Sequence, residues 1–248
     1  MSLDEPLPVS GKWIIITARL SARKDIFMKK PNYSCVIFDM DGTLLYTIDD
    51  IAKSVNITLK EFGYPEKTIE EVTSFVNNGA YRLMELALPE DKRDKETVTT
   101  VLNRYLDIYD EHVCEKTHPY DGIAELVETL RNSGIKLAVV SNKPDRQAKT
   151  LAVHCFGEGV FSYVSGSGIG LPTKPDKACT DRAIDALSVD RKDVLYVGDS
   201  YVDVLTAKNA ALPCAGVLWG FGGDHSFDTE KPDFYIHTAK ELESLILG

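Results

Sequence analysis

No apolar run in this chain approaches the ~18 residues of a membrane-spanning helix, so a membrane protein is not expected. Positive charge is short: 28 Lys and Arg stand against 38 Asp and Glu, a formal net charge of -10. Phosphate backbones are held by Lys and Arg, so nucleic acid is not expected as the partner. A small anionic substrate remains compatible, because a few cations and a metal reverse the sign locally. Paired cysteines are lacking as well. Cys35, Cys114, Cys155, Cys179 and Cys214 are odd in number, widely spaced and form no C-x-x-C. That argues against a disulfide framework and for reduced thiols in a cytoplasmic protein. There is no internal repeat and no low-complexity stretch.

What remains is ordinary globular composition, 44% hydrophobic and 27% charged over 248 residues, enough for one large domain or a domain with a smaller cap. Residues 1–30 do not match the rest. Trp13–Ile16 can pair as a strand, but no second apolar period follows, and we expect a leader or extension here. Buried strands are expected at Cys35–Phe38, Leu137–Val140, Phe161–Val164, Val194–Val197, Ala215–Leu218 and Phe234–Ile236. Helices are expected between them: around Ile123–Leu130, ended by Gly134, then at about 145–155, 177–187 and 201–210. Thr238 with Glu241 reads as a capping box opening a last helix. Such alternation predicts an α/β fold, a doubly wound, mostly parallel, Rossmann-like sheet. Residues 47–118 break the rhythm. Helical periods are expected at Ile51–Phe62, Glu66–Val76, Ala80–Leu88 and Val98–His112, with no strand, so this stretch reads as an inserted all-helical cap. The core domain is then 31–46 with 119–248.

Four short segments carry the chemistry. The first is Asp39-Met40-Asp41-Gly42-Thr43. An Asp-Gly turn alone accounts for it. An EF-hand does not, since position 6 is Leu44 and position 12 is Asp50. Alternatively, two carboxylates at i and i+2 on an extended chain share a side, where one attacks a phosphoryl group and the other handles the proton. The second segment is Ser141-Asn142 at a strand end, an ordinary ST-turn or cap, or else a holder of phosphate oxygens. The third is Lys174 before Pro175, a solvated loop or a cation that neutralises a transferring phosphoryl group. The fourth is Gly198-Asp199-Ser200 with Asp203, a strand–turn–helix junction or a pair of Mg²⁺ carboxylates. Three of the four follow expected strands. In an open parallel sheet the carboxyl ends of the strands form one edge. That edge would gather Asp39, Asp41, Ser141, Asp199 and Asp203 around a cation. Gly166-Ser167-Gly168-Ile169-Gly170 is a decoy: its third Gly is one position early for a dinucleotide loop, and Pro172 and Pro175 interrupt the helix that should follow.

The ordered set D-x-D-G-T, S-N, K-P, G-D-S-x-x-D, with a helical insertion, resembles the haloacid dehalogenase superfamily in its phosphoglycolate phosphatase-like branch, over about residues 33–248. The resemblance implies Asp39 as nucleophile, Asp41 as general acid/base, Ser141 as phosphate ligand and Lys174 as transition-state stabiliser. Asp199, helped by Asp203, Asp39 and the Asp41 carbonyl, would hold Mg²⁺. Asp49-Asp50-Ile51-Ala52 also resembles the start of the family's cap. One departure is Tyr46, where many relatives have Asp. In the cap, Asn78-Gly79-Ala80-Tyr81-Arg82 is a candidate substrate loop, with Arg82 gripping a substrate carboxylate and Gly79 allowing close approach. The expected activity is Mg²⁺-dependent hydrolysis of a small phosphorylated metabolite, phosphoglycolate-like, by a monomer or homodimer. A sugar-phosphate mutase, an inorganic pyrophosphatase or a non-catalytic binding protein are the alternatives.

Overall fold

The computed structural model describes residues 32–248; the leader or extension expected at 1–30 lies outside the described residues. Six strands, β1 (Cys35–Phe38), β4 (Lys136–Pro144), β5 (Tyr163–Ser167), β6 (Val194–Gly198), β7 (Cys214–Val217) and β8 (Phe234–Ile236), form one parallel sheet in the order β5-β4-β1-β6-β7-β8. Short Val- and Ile-rich runs suit strands buried on both faces. Alternate residues go to opposite faces. Val36, Phe38, Val139 and Val197 join a core shared with α5 (Ile123–Asn132), α6 (Asp145–Phe156) and α9 (Ala239–Leu247). Ile37, Val140 and Tyr196 face α7 (Ala178–Leu187) and α8 (Tyr201–Asn209). The sheet is therefore doubly wound, as its sequence alternation implies.

β1 is the first strand in the sequence and sits in the middle of the sheet. Phe38 is in register with Val139 on one side and Val197 on the other. The strand order reverses direction at β1, and ligand crevices of open α/β sheets lie at such reversals.

Between β1 and β4 the chain makes a helical excursion: α1 (Ile48–Glu61), α2 (Ile69–Phe75), α3 (Gly79–Ala87) and α4 (Lys95–His112). Ile51, Val55 and Leu59 bury one stripe of α1, and Gly63, at φ +73°, ends it. Thr68 and Glu71 make a capping box at α2, and Asp94 caps α4 through the Thr97 N–H. Two details differ from the sequence reading. Phe62 leaves the helical stripe and stacks on Tyr64 outside α1. A strand also borders the excursion: β2 (Leu45–Tyr46) pairs antiparallel with β3 (His118–Pro119), Tyr46 opposite His118. Two residues carry no readable alternation. Asp50, fully buried, locks this junction by accepting the N–H groups of Lys116 and Thr117 and the Thr117 hydroxyl, at 2.8–3.1 Å.

Candidate active site

The ladder of β1 ends at Phe38, and the Asp39 N–H continues it by one bond, to the Val197 carbonyl at 2.8 Å. The chain then turns tightly. The Met40 carbonyl accepts from the N–H groups of Thr43, Leu44 and Leu45. Gly42 sits at φ +83°, and a Cβ there would stand 2.3 Å from Asp199 Oδ2. Glycine is thus required twice over, by conformation and by space. Thr43 donates to Asp199 Oδ1 at 3.1 Å, and its carbonyl accepts from the Trp219 indole at 3.0 Å. The motif after β1 is therefore built against the motif after β6.

Asp199 follows β6 and is completely buried; its Oδ2 also accepts the Phe221 N–H. Asp203, one turn into α8, is buried too. Its Oδ2 accepts the Ser200 N–H and hydroxyl, closing the α8 capping box, and its Oδ1 accepts from Lys174 at 2.7 Å. One oxygen each of Asp39, Asp199 and Asp203 lies within 4.8 Å of the others. Besides Gly42, Gly198 and Gly220 wall this group: a Cβ at Gly198 would stand 2.2 Å from Asp203 Cγ, and one at Gly220 2.3 Å from Asp199 Cβ.

The group is electrostatically unbalanced. Lys174 Nζ lies 2.8 Å from Asp39 Oδ1 and 2.7 Å from Asp203 Oδ1, so one ammonium serves both, and Asp199 has no cation of its own in this group. Burial pushes the Asp39 carboxyl up to about 6; Lys174 opposes this and Asp203 reinforces it. Burial, then Asp203 and Asp39, push Asp199 well above the usual carboxylate range. Burial alone would lower Lys174; Asp203 and Asp39 more than reverse that and hold it well above an ordinary lysine. Three carboxylates share one ammonium in a dry site. An all-oxygen donor set with more negative charge than its one ammonium offsets fits a hard divalent cation.

Asp39 and Asp41 both line a small cavity of about 50 Å³, although regular strand geometry stops before them. Ser141, Asn142, Lys174 and Gly79 line it as well. The Asn142 side chain is committed elsewhere: its Oδ1 accepts the Lys174 N–H at 2.7 Å, and its Nδ2 donates to the carbonyls of Lys174 and Asn77. It braces Lys174 against the loop between α2 and α3. Arg82 is not brought to the cavity; its side chain is half exposed and pairs with Glu85 one turn along α3. The Asp41 carboxylate stands apart from the three-carboxylate group and meets Lys143 Nζ at 2.9 Å. Lys143, with Tyr105 and Tyr109 of α4, is a cavity residue absent from the sequence reading. Its signal was present: Lys143-Pro144 repeats the Lys-Pro dipeptide of Lys174-Pro175 at the tip of a neighbouring strand.

A family model for haloacid dehalogenase-like hydrolases matches residues 36–217. The chain is 31% identical over 221 residues to the phosphoglycolate phosphatase of Haemophilus influenzae strain 86-028NP, covering 86% of this chain and 98% of that protein. It is 30% identical over 212 residues to phosphoglycolate phosphatase 1 of Pseudomonas aeruginosa, covering 84% and 77%. Among solved structures, a predicted phosphatase from Clostridium acetobutylicum superposes with a TM-score of 0.75 at 27% identity, covering 86% of this chain and 97% of the other.

Proposed function

The chain belongs to the haloacid dehalogenase-like hydrolase family as one of its phosphatases, and from that premise we propose that it cleaves a small phosphoglycolate-type monoester through an aspartyl-phosphate, with Mg²⁺. The carrying observation is the buried group of Asp39, Asp199 and Asp203 with its single ammonium, of which Asp39 and Lys174 line the cavity.

Asp39, Asp199 and the Asp41 main-chain carbonyl would hold the cation, helped by Asp203. When bound, it neutralises the carboxylates and draws charge from the phosphoryl oxygens. The remaining work falls to the chain. An Asp39 carboxylate oxygen attacks phosphorus, and the P–O bond to the leaving group breaks. Asp41 gives its proton to the leaving oxygen. Asp41 then takes a proton from water as that water attacks the phosphoryl group, which releases phosphate and restores Asp39. Lys174, held by Asp203 and braced by Asn142, offsets negative charge on the transferring group. The Ser141 hydroxyl and adjacent N–H groups would hold phosphate oxygens. Residues 47–118 would act as the cap that excludes water. Five unpaired cysteines support a reducing, cytoplasmic setting.

A panel of small phosphate esters assayed after EDTA treatment, with and without added Mg²⁺, tests this reading. Hydrolysis restored by Mg²⁺ is expected. Full activity in rigorously metal-free buffer, or hydrolysis of none of the esters, overturns it.

A further inference from the structure

The reaction described above leaves one buried cation without a role. The Lys143 side chain is 2% exposed, its Nζ lies 2.9 Å from Asp41 Oδ1, and it donates to the Tyr109 hydroxyl. An ammonium has three donors, and these contacts use two. Lys143 lines the cavity, while Ile51, Val76, Ala80 and Leu83 furnish apolar wall. Among the described residues the only other cation lining it is Lys174, which is engaged with Asp39 and Asp203. For a substrate whose phosphoryl group sits at Asp39, Lys143 is therefore the cavity cation outside the three-carboxylate group that a second negative charge can meet.

We infer that Lys143 binds a carboxylate carried by the leaving group, so that the enzyme selects compact phosphomonoesters with a second anion close to the ester oxygen. This rests on the phosphomonoesterase reading above and deepens it. The reach supports a short substrate: Lys143 touches Asp41, and Asp41 lies two residues from Asp39, which places their backbones at most roughly 7 Å apart. The ammonium is also held in place. Tyr105 stacks on Tyr109 with ring centroids 5.5 Å apart. The next residue of α4, Asp110, is pinned to α6 by Arg146 at 2.8 Å and by Gln147 at 2.7 Å. A fixed ammonium against an apolar wall discriminates by charge, because a neutral group offered to it leaves that donor unpaired. Arg82, on the outer side of α3 and paired with Glu85, lacks this geometry.

The test compares kcat/KM for 2-phosphoglycolate and for ethyl phosphate, an ester of similar size without the carboxylate, in wild type, Lys143→Met and Arg82→Ala. The ratio of the two should fall roughly ten- to a hundredfold in Lys143→Met, the loss of one charge-assisted contact, and stay within about twofold in Arg82→Ala. Damage transmitted through Asp41 would slow both esters alike; an unchanged ratio in Lys143→Met therefore overturns the assignment, as does a tenfold fall in Arg82→Ala. If Lys143→Met does not fold, Lys143→Gln replaces it. Independently, phosphonoacetate should inhibit wild type at least tenfold more tightly than ethylphosphonate, and equal inhibition overturns the inference. Wild type that hydrolyses neither ester overturns the phosphomonoesterase reading as well. Wild type that hydrolyses both, with a ratio indifferent to Lys143, overturns only the role given to Lys143.

Discussion

Replacing Asp39 by Asn should abolish turnover and yet make the metal-free protein more stable. The Asp39 carboxyl is raised from 3.8 to about 6, chiefly by burial, even with Lys174 beside it. A raised carboxyl favours folding fully below about pH 3.8 and loses that advantage as pH climbs through about 6. At pH 7.5 the folded wild type therefore bears a penalty on the order of 3 kcal/mol, the rise to about 6 taken at ~1.36 kcal/mol per pH unit. Asn keeps the shape and cannot ionise. Chemical denaturation in EDTA should show the variant more stable by up to ~3 kcal/mol at pH 7.5, which is a gain of about 6–12 °C in Tm for a domain of this size. By linkage the gap should shrink to about half at pH 5. Saturating Mg²⁺ should shrink it too, because wild type binds the cation better. A variant less stable than wild type in EDTA at pH 7.5, or a gap constant between pH 5 and 7.5, would refute the electrostatic account.

Two other perturbations probe the same site. Lys174→Ala leaves Asp39 and Asp203 facing each other without a cation, so metal-free stability should fall by roughly 3–5 kcal/mol, with kcat reduced far more than KM is raised; a change confined to KM would make Lys174 a binding residue only. Gly42→Ala places a methyl group 2.3 Å from Asp199 Oδ2 at φ +83°, so the rise in Tm on adding Mg²⁺ should disappear; an unaltered rise would mean that the turn relaxes around the new side chain.

The sheet and its order of elements were legible because Cys35–Phe38, Leu137–Val140 and Val194–Val197 are short apolar runs, each followed by turn residues. The gathering of Asp39, Ser141 and Asp199 followed from strand ends alone. Side-chain commitments were not legible. Nothing in Ser141-Asn142 reveals that the amide is spent on Lys174 and Asn77 rather than left for a ligand. Lys143 was marked only by its repeat of the Lys-Pro dipeptide, and Tyr105 and Tyr109 were hidden by their helical period, which reads equally as core. Arg82 was legible as a charge near a glycine, but a local partner, Glu85, holds it on the outside of its helix. Such competition is decided by distance in space, which a linear pattern does not encode.

The pairing of Tyr46 with His118 gives the polypeptide a practical property. The chain leaves the sheet layer and returns to it through directly adjoining residues, so everything between them is a closed excursion. A tight turn joining these two residues would bypass it without stretching either end, and a homologous block of different length would splice in at the same seam. Chimeras between relatives can therefore exchange this block as one cassette, provided that Asn142, Lys143, Arg146 and Gln147, which reach across to it, travel with it.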